Sequence, residues 1–163
     1  MYKEITLKTS DGGIETFPFR ASGTTSIRFK MVFKKELMAC ITGLVGAAGA
    51  DALSSLMQET QTAAAEGRKE LGVEELNEQS LDAILKIAGS GEMDSISKMA
   101  YIMNKAACGA DMTTLSLEDY YNWMDQFESM EFLTHAMDFI GLYMGNRETT
   151  TTPKKDTAQL TEQ

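Results

Sequence analysis

The stretch SLEDYYNWMDQFESM, from Ser116 to Met130, contains the only tryptophan of this chain, two adjacent tyrosines and a phenylalanine. Its large apolar residues recur at spacings of three and four, which predicts one face of a helix about four turns long. Ser116, followed three residues later by Asp119, resembles a capping box. Because each large aromatic side chain buries about 150–250 Å², we expect this face to pack against the rest of the protein. The predicted face carries Leu117, Tyr120, Trp123, Met124 and Phe127.

The composition indicates one mainly helical domain. The chain has 163 residues, of which 43% are hydrophobic, and only two prolines. This length is sufficient to bury a core, and the many Ala, Leu, Met, Glu and Lys residues favour helices. The predicted fold class is mainly α, a compact multi-helix domain with a short N-terminal β-hairpin or extended segment and a disordered C-terminal tail. Two cysteines without CxxC spacing favour a reducing cytoplasm over a disulfide framework.

Patterning along the chain divides it into a single helical domain over residues 1–146 and a flexible tail over residues 147–163. Residues 1–20 alternate apolar and polar positions around an Asp-Gly-Gly turn, which predicts a hairpin or two extended segments ending at Pro18. Residues 51–79 hold few large apolar anchors, so a poorly defined connection is expected there.

Apolar periodicity predicts helices on either side of that connection. A Gly-Ser-Gly run at 89–91 is expected to stop the second predicted helix, Gln79–Ala88. The second helix is expected to bury Leu81, Ile84, Leu85 and Ala88, and the third Ile96, Met99, Ala100, Met103 and Ala107. The predicted ranges are Ser26–Val45, Gln79–Ala88, Met93–Cys108, and a last helix from about 131 to Gly145.

No catalytic, metal-binding or cofactor signature is present. The single histidine, His135, cannot supply a His-based metal cluster, and it makes a Ser–His–Asp triad unpersuasive. A formal net charge of −9 argues against nucleic-acid binding. The longest uncharged run, Met38 to Ala50, is too short to span a bilayer. We therefore expect a protein that is not an enzyme, with no cofactor, no metal, no nucleic acid and no membrane partner.

Charge is segregated along the chain. Six acidic residues and no Lys or Arg lie between Ser116 and Asp138, whereas four basic residues and no acid lie between Ser26 and Lys35. Ordinary uneven surface charge explains this pattern as well as an attraction between the two regions does, either within one molecule or head-to-tail between copies. The candidate partner-binding or oligomer contacts are Arg28, Lys30, Lys34, Lys35, Glu118, Asp125 and Glu128.

Four blocks follow one another along the chain: FRASGTTSIRFKMVFKKELM (19–38), SKMAYIMNKAA (97–107), YYNWMDQFESMEF (120–132) and NRETTTTPKK (146–155). Together and in this order they resemble the tail assembly chaperones of long-tailed phages and prophages of Gram-positive bacteria. The first block is similar to that family's segment leading into a Phe-Gly-Lys-Asp-Leu helix, with Lys34 in place of the Gly. The core or family-motif residues are Phe29, Phe33, Leu37, Tyr101, Tyr120, Trp123 and Phe127.

The resemblance implies a small helical protein of the host bacterial cytoplasm that binds and solubilises the tape measure protein before the tail tube polymerises around it. Such a chaperone is absent from the mature virion. The implied partners are the tape measure protein, a frameshifted longer form of the chain, the tail tube protein and further copies in a homo-oligomer. If a frameshift occurs, we expect the slip at Lys154-Lys155, because adenine-rich lysine codons suit a slippery site.

Two other functions stay open at this point. One is a structural head–tail adaptor of a phage particle, and the other is an unrelated helical regulator that dimerises through the face of Trp123. We expect the aromatic face to seal the protein's own core, since buried aromatic stripes are usually structural. The acidic back of the same predicted helix, with Glu118, Asp125 and Glu128, is the better candidate for meeting a basic neighbour.

Overall fold

The computed structural model describes residues 1–49, 76–128 and 131–148, with a few isolated positions between 51 and 66. The predicted fold class is confirmed for these residues, since helices dominate and one hairpin opens the chain. Most of the predicted connection and all but the first two residues of the predicted tail lie outside the described residues, and those two residues end the last helix. The elements are β1 (Tyr2–Lys8), β2 (Ile14–Arg20), α1 (Thr25–Phe33), α2 (Leu37–Ala48), α3 (Glu78–Ser90), α4 (Met93–Ala107), α5 (Leu117–Met124), α6 (Glu131–Thr134) and α7 (Ala136–Glu148).

The hairpin forms as the alternating pattern predicts. β1 and β2 pair antiparallel, and their inner face buries Ile5, Leu7 and Phe19. The strand β2 does not end at Pro18, as predicted, but continues to Arg20. Met1 and Ala21 exchange backbone hydrogen bonds across the hairpin, which fixes the register of the two strands. In that register the backbone nitrogen of residue 18 points away from β1, so a proline there loses no hydrogen bond to the neighbouring strand.

The helix α4 is the centre of the described structure. Its residues from Ser95 to Asn104 are all buried, and ten consecutive buried positions cover every side of a helix. It packs against β2 and against each of the other helices named above. The sequence predicted burial on one face of this helix. Four of the five predicted residues are buried, and neighbouring elements bury the other sides of the helix as well.

Most polar groups buried on α4 find partners, as burial requires, and the hydroxyl of Tyr101 is the exception among the described residues of this helix. Asn104 donates from Nδ2 to the carbonyl oxygen of Pro18 at 3.0 Å, which ties α4 to the hairpin. Lys98 is nine-tenths buried, donates to Asp94 at 2.5 Å and lies 5.4 Å from the centre of the Phe33 ring. These contacts fix the position of α1 and β2 on the central helix.

The aromatic helix α5 is shorter than predicted. The capping box of Ser116 and Asp119 is confirmed, but the helix ends at Met124. Beyond it Phe127 forms an isolated β-bridge with Thr9. Backbone groups that follow the helix form hydrogen bonds with the hairpin instead of continuing the helix. The N–H of Ser10 donates to the carbonyl of Gln126 at 2.9 Å, and the N–H of Glu128 donates to the carbonyl of Lys8 at 3.3 Å. Leu117, predicted to be buried, is 48% exposed.

The predicted helix from Ser26 to Val45 is two helices. Lys34 adopts a left-handed conformation, with φ +58°, and its N–H donates to the carbonyl of Lys30, which closes α1. The chain then turns and α2 begins at Leu37. The break allows Phe33 and Leu37 to be buried from two separate helices that both contact α4.

The predicted face and end of α3 are also corrected. The helix continues through Gly89 and Ser90 and stops at Gly91, which takes the positive φ of +75° that favours glycine. Its buried side carries Ser80, Ala83, Ile84 and Ile87. Leu85 is 63% exposed and Ala88 is exposed as well, because α3 packs mainly against α2 along a stripe one position earlier.

Candidate functional site

The seven residues predicted as core or family-motif residues are all buried. The six aromatic ones form a connected set of ring contacts around Tyr101, whose ring centroid lies 5.3 Å from that of Trp123 and 5.5 Å from that of Tyr120. Trp123 in turn lies 4.8 Å from Phe127. None of the seven is more than 8% exposed, so they stabilise the fold and are covered in a single folded molecule. The set is Phe29, Phe33, Leu37, Tyr101, Tyr120, Trp123 and Phe127.

The single histidine belongs to a structural cluster beside β1. His135 lies 3.1 Å from Asp138 and 3.4 Å from Glu131, while Lys3 pairs with Asp138 at 2.5 Å. Glu131 also accepts the backbone N–H of Lys8 at 2.9 Å. The hydrogen bond from His135, with smaller contributions from Lys3, holds the pKa of the Asp138 carboxyl below its usual value. These contacts pin the hairpin to α6 and α7.

A groove of about 270 Å³ runs along this cluster, and the described residues that line it include no serine or cysteine. These lining residues therefore place no Ser or Cys nucleophile next to the histidine. In the described part of the chain, no three His, Cys, Asp or Glu side chains are placed to hold a metal ion. The exposed surfaces of the helices are the remaining candidates for a site.

Basic residues on and after α1 surround two exposed apolar side chains. Ile27 is 59% exposed and Met31 is 47% exposed, one turn apart and opposite the buried side of the helix. Lys30 lies between them and pairs with Glu36. Sequence reasoning identified the lysines but missed Ile27, although the four-residue spacing to Met31 signals a second apolar stripe. We define the basic face as Ile27, Arg28, Lys30, Met31, Lys34 and Lys35.

Acidic residues on and after α5 form a comparable surface. Leu117 is 48% exposed and Tyr121 is 56% exposed, again one turn apart. Among the described residues, none forms an ion pair with Glu118, Asp125 or Glu128, and all three acids are exposed. We define the acidic face as Leu117, Glu118, Tyr121, Asp125 and Glu128.

The two faces do not meet within one molecule. Phe33 on α1 and Tyr120 on α5 have ring centroids 5.3 Å apart, so the buried sides of both helices converge on the same core. The exposed sides consequently point away from that contact. Within the described ranges, no ion pair joins residues 26–35 to residues 116–138, and an attraction inside the molecule is not formed there.

A third exposed surface lies on α2, a helix of twelve residues without a charged side chain. Met38 is 36% exposed and Val45 is 39% exposed. Small residues separate them, so the surface is both uncharged and shallow. We define the α2 face as Met38, Ala39, Thr42, Val45 and Gly46, all of which are exposed.

The described structure thus belongs to the class of small helical proteins with an N-terminal hairpin and exposed helix surfaces. Comparison with protein-family models, with curated proteins and with solved structures found no match to this chain. None of the described helices has the length and apolar content that crossing a bilayer requires.

Proposed function

We propose that this protein is a non-catalytic phage tail assembly chaperone, which binds and solubilises the tape measure protein and assists assembly of the tail tube around it. The observation that carries the proposal is the α2 face, an exposed and uncharged helix surface on a chain whose net charge is −9. Contiguous apolar surface of this kind marks interaction sites on otherwise charged proteins.

The chemistry of the α2 face suits a second helix. Ala39, Thr42 and Gly46 are small, so another helix can approach to the interaxial distance of about 8–10 Å that packed helices adopt. Met38 and Val45 lie seven residues apart, about two turns along the same side of the helix, and supply apolar contact at both ends. Methionine adapts its shape to different partners, which suits a chaperone that meets many turns of one long helix.

In the family that this chain resembles, the tape measure protein is a long helical chain with an apolar stripe. Such a stripe aggregates when it is bare, and a helix-in-groove contact shields it reversibly. The further parts of the proposal follow from the same resemblance: a site of action in the host bacterial cytoplasm, absence from the mature virion, a frameshifted longer form of the chain, and contact with the tail tube protein.

The backbone at position 34 supports the resemblance independently of side chains. The family segment has glycine there, and Lys34 adopts the left-handed conformation that glycine favours. The blocks at 19–38 and 97–107 fall on α1 with the start of α2 and on the central helix α4. The residues that carry the resemblance therefore include the left-handed position that ends α1 and a segment of the buried central helix.

The proposal is tested by co-expression with the protein encoded by the very long reading frame expected beside this gene. We expect the long protein to stay in the supernatant only when the chain is present. Val45→Asp should abolish this effect, because it places a charge in the α2 face. Leu85→Asp introduces the same charge at an exposed site on α3 and should leave the effect intact.

Failure of the wild-type chain to bind or solubilise the long protein would contradict the proposed function. Equal loss or equal retention of binding in Val45→Asp and Leu85→Asp would contradict the assignment of the α2 face. Detection of the chain in purified virions would favour a head–tail adaptor instead. A regulator that dimerises through Trp123 is disfavoured, because that side chain is only 5% exposed.

A further inference from the structure

We propose that the basic face of one molecule docks on the acidic face of a second copy, so that the chain self-associates through α1 and α5. The two faces are separate from the α2 face, and the inference does not depend on the proposed function.

The apolar parts of the two faces match in spacing. Ile27 and Met31 on one face, and Leu117 and Tyr121 on the other, are each four residues apart and therefore neighbours on the helix surface. Each of the four side chains is between 47% and 59% exposed in the single molecule. Pairing the faces removes all four from water at once, and apolar area removed from water is the main source of association free energy.

The charged parts of the two faces also match. Lys34 and Lys35 follow Ile27 by seven and eight residues, and Asp125 follows Leu117 by eight. All three lie just beyond the C-terminal ends of their helices, so a parallel alignment of α1 and α5 with Ile27 opposite Leu117 brings the ends that carry these opposite charges together.

Apart from Lys30, which pairs with Glu36, the other charges on the two faces have no ion-pair partner among the described residues. Among the described residues, neither Arg28 nor Lys35 has an ion-pair partner, and the same holds for the three acids of the acidic face. Docking places these opposite charges together, which sets the register and selects the partner.

A second copy is the occupant because one molecule cannot bring its own two faces together. The contact between Phe33 and Tyr120 directs the buried sides of α1 and α5 toward each other and the exposed sides outward. The net charge of −9 opposes non-specific association of copies. Any association that occurs must therefore use a surface where the local charges attract.

The test exchanges the charges of the two faces. One variant carries Glu118→Lys with Asp125→Lys, and the other carries Lys34→Glu with Lys35→Glu. Sedimentation velocity of the wild-type chain over a range of concentrations should show a reversible self-association. Each variant alone should associate at least about tenfold more weakly, because attraction becomes repulsion at two positions. An equimolar mixture should regain the wild-type affinity, since each reversed face then meets a complementary one.

Two controls accompany these variants. Leu85→Ser removes an equally exposed apolar side chain outside both faces and should not alter the self-association. Circular dichroism melting should show that all variants are folded, which separates loss of association from loss of structure. A wild-type chain that stays monomeric at every concentration, charge variants that associate like wild type, or a mixture that fails to recover would each overturn the inference.

Discussion

Deleting the hydroxyl group of Tyr101 and of Tyr120 should change stability in opposite directions, although the two substitutions remove the same atom. Both side chains are buried in the aromatic core and their ring centroids lie 5.5 Å apart. The hydroxyls differ in their partners. That of Tyr120 lies 2.7 Å from Oγ of Ser97, whereas that of Tyr101 has no hydrogen-bond partner among the described residues.

The hydrogen bond of Tyr120 has a defined direction. Oγ of Ser97 lies 3.0 Å from the carbonyl oxygen of Asp94, to which it can only donate. Because a serine hydroxyl has one hydrogen, Tyr120 donates and Ser97 accepts. Removing this buried bond by Tyr120→Phe should cost about 1 kcal/mol. For a chain of this length, that free energy lowers the melting temperature by about 2–4 °C.

Tyr101→Phe has the opposite expected sign. A buried hydroxyl without a partner costs about 1–3 kcal/mol in lost hydration, and the substitution removes that cost while leaving a gap the size of one oxygen atom. We expect a gain of about 0.5–1 kcal/mol, so the two variants should differ by roughly 2 kcal/mol in the free energy of unfolding. Urea titration followed by fluorescence of Trp123 measures this directly, because that residue is the only tryptophan and it is buried.

A double-mutant cycle of Tyr120→Phe with Ser97→Ala should give a coupling free energy of about 1 kcal/mol. Coupling near zero would show that the hydroxyls do not interact. Equal destabilisation by Tyr101→Phe and Tyr120→Phe would refute the reasoning from partners, since burial alone would then explain both effects.

Three further predictions concern the core, the break after α1 and alkaline pH. Trp123→Ala should destabilise the protein by about 3–5 kcal/mol. Circular dichroism should then show no cooperative thermal transition, and a folded variant would show that this side chain is not a core residue. Lys34→Gly should raise the free energy of unfolding by roughly 1 kcal/mol, and the melting temperature with it, because glycine adopts φ +58° without strain. A lower melting temperature in calorimetry would mean that the hydrogen bond from the Lys34 ammonium to the Met31 carbonyl outweighs that strain. Burial raises the pKa of Tyr101 and Tyr120 from 10 to about 12, so on raising the pH the unfolded state releases protons first. The urea concentration at the unfolding midpoint should therefore decrease as the pH rises from 10 to 12, and it should decrease less in Tyr120→Phe. An unchanged midpoint over this range would contradict the burial of both hydroxyls.

Local signals predicted part of the fold well. The capping box at Ser116 and Asp119 needs only residues three apart, so it could be recognised without knowing the tertiary structure. The hairpin likewise followed from alternation around a turn whose Gly12 has φ +83°. In both cases the interacting groups are close in sequence.

The ends of helices and their buried sides could not be predicted in the same way. The aromatic helix ends at Met124 because the hairpin, more than a hundred residues earlier, takes the backbone groups that follow. On α3, the buried stripe was misplaced by one position, since Leu85 is as apolar as Ile84 and only the position of α2 distinguishes them. Such choices depend on contacts between distant parts of the chain.

The candidate interaction surfaces were likewise determined partly by the sequence alone and partly by the tertiary structure. The segregation of lysines near α1 from carboxylates near α5 is a property of the sequence alone, because charge does not depend on packing. The exposure of Ile27 and Met31 was decided by the tertiary structure. The helix α1 carries two apolar stripes, and the one with Phe29 and Phe33 is buried, with Phe33 against Tyr101 of the central helix α4. The larger aromatic side chains bury more apolar area there, so the smaller stripe stays on the surface.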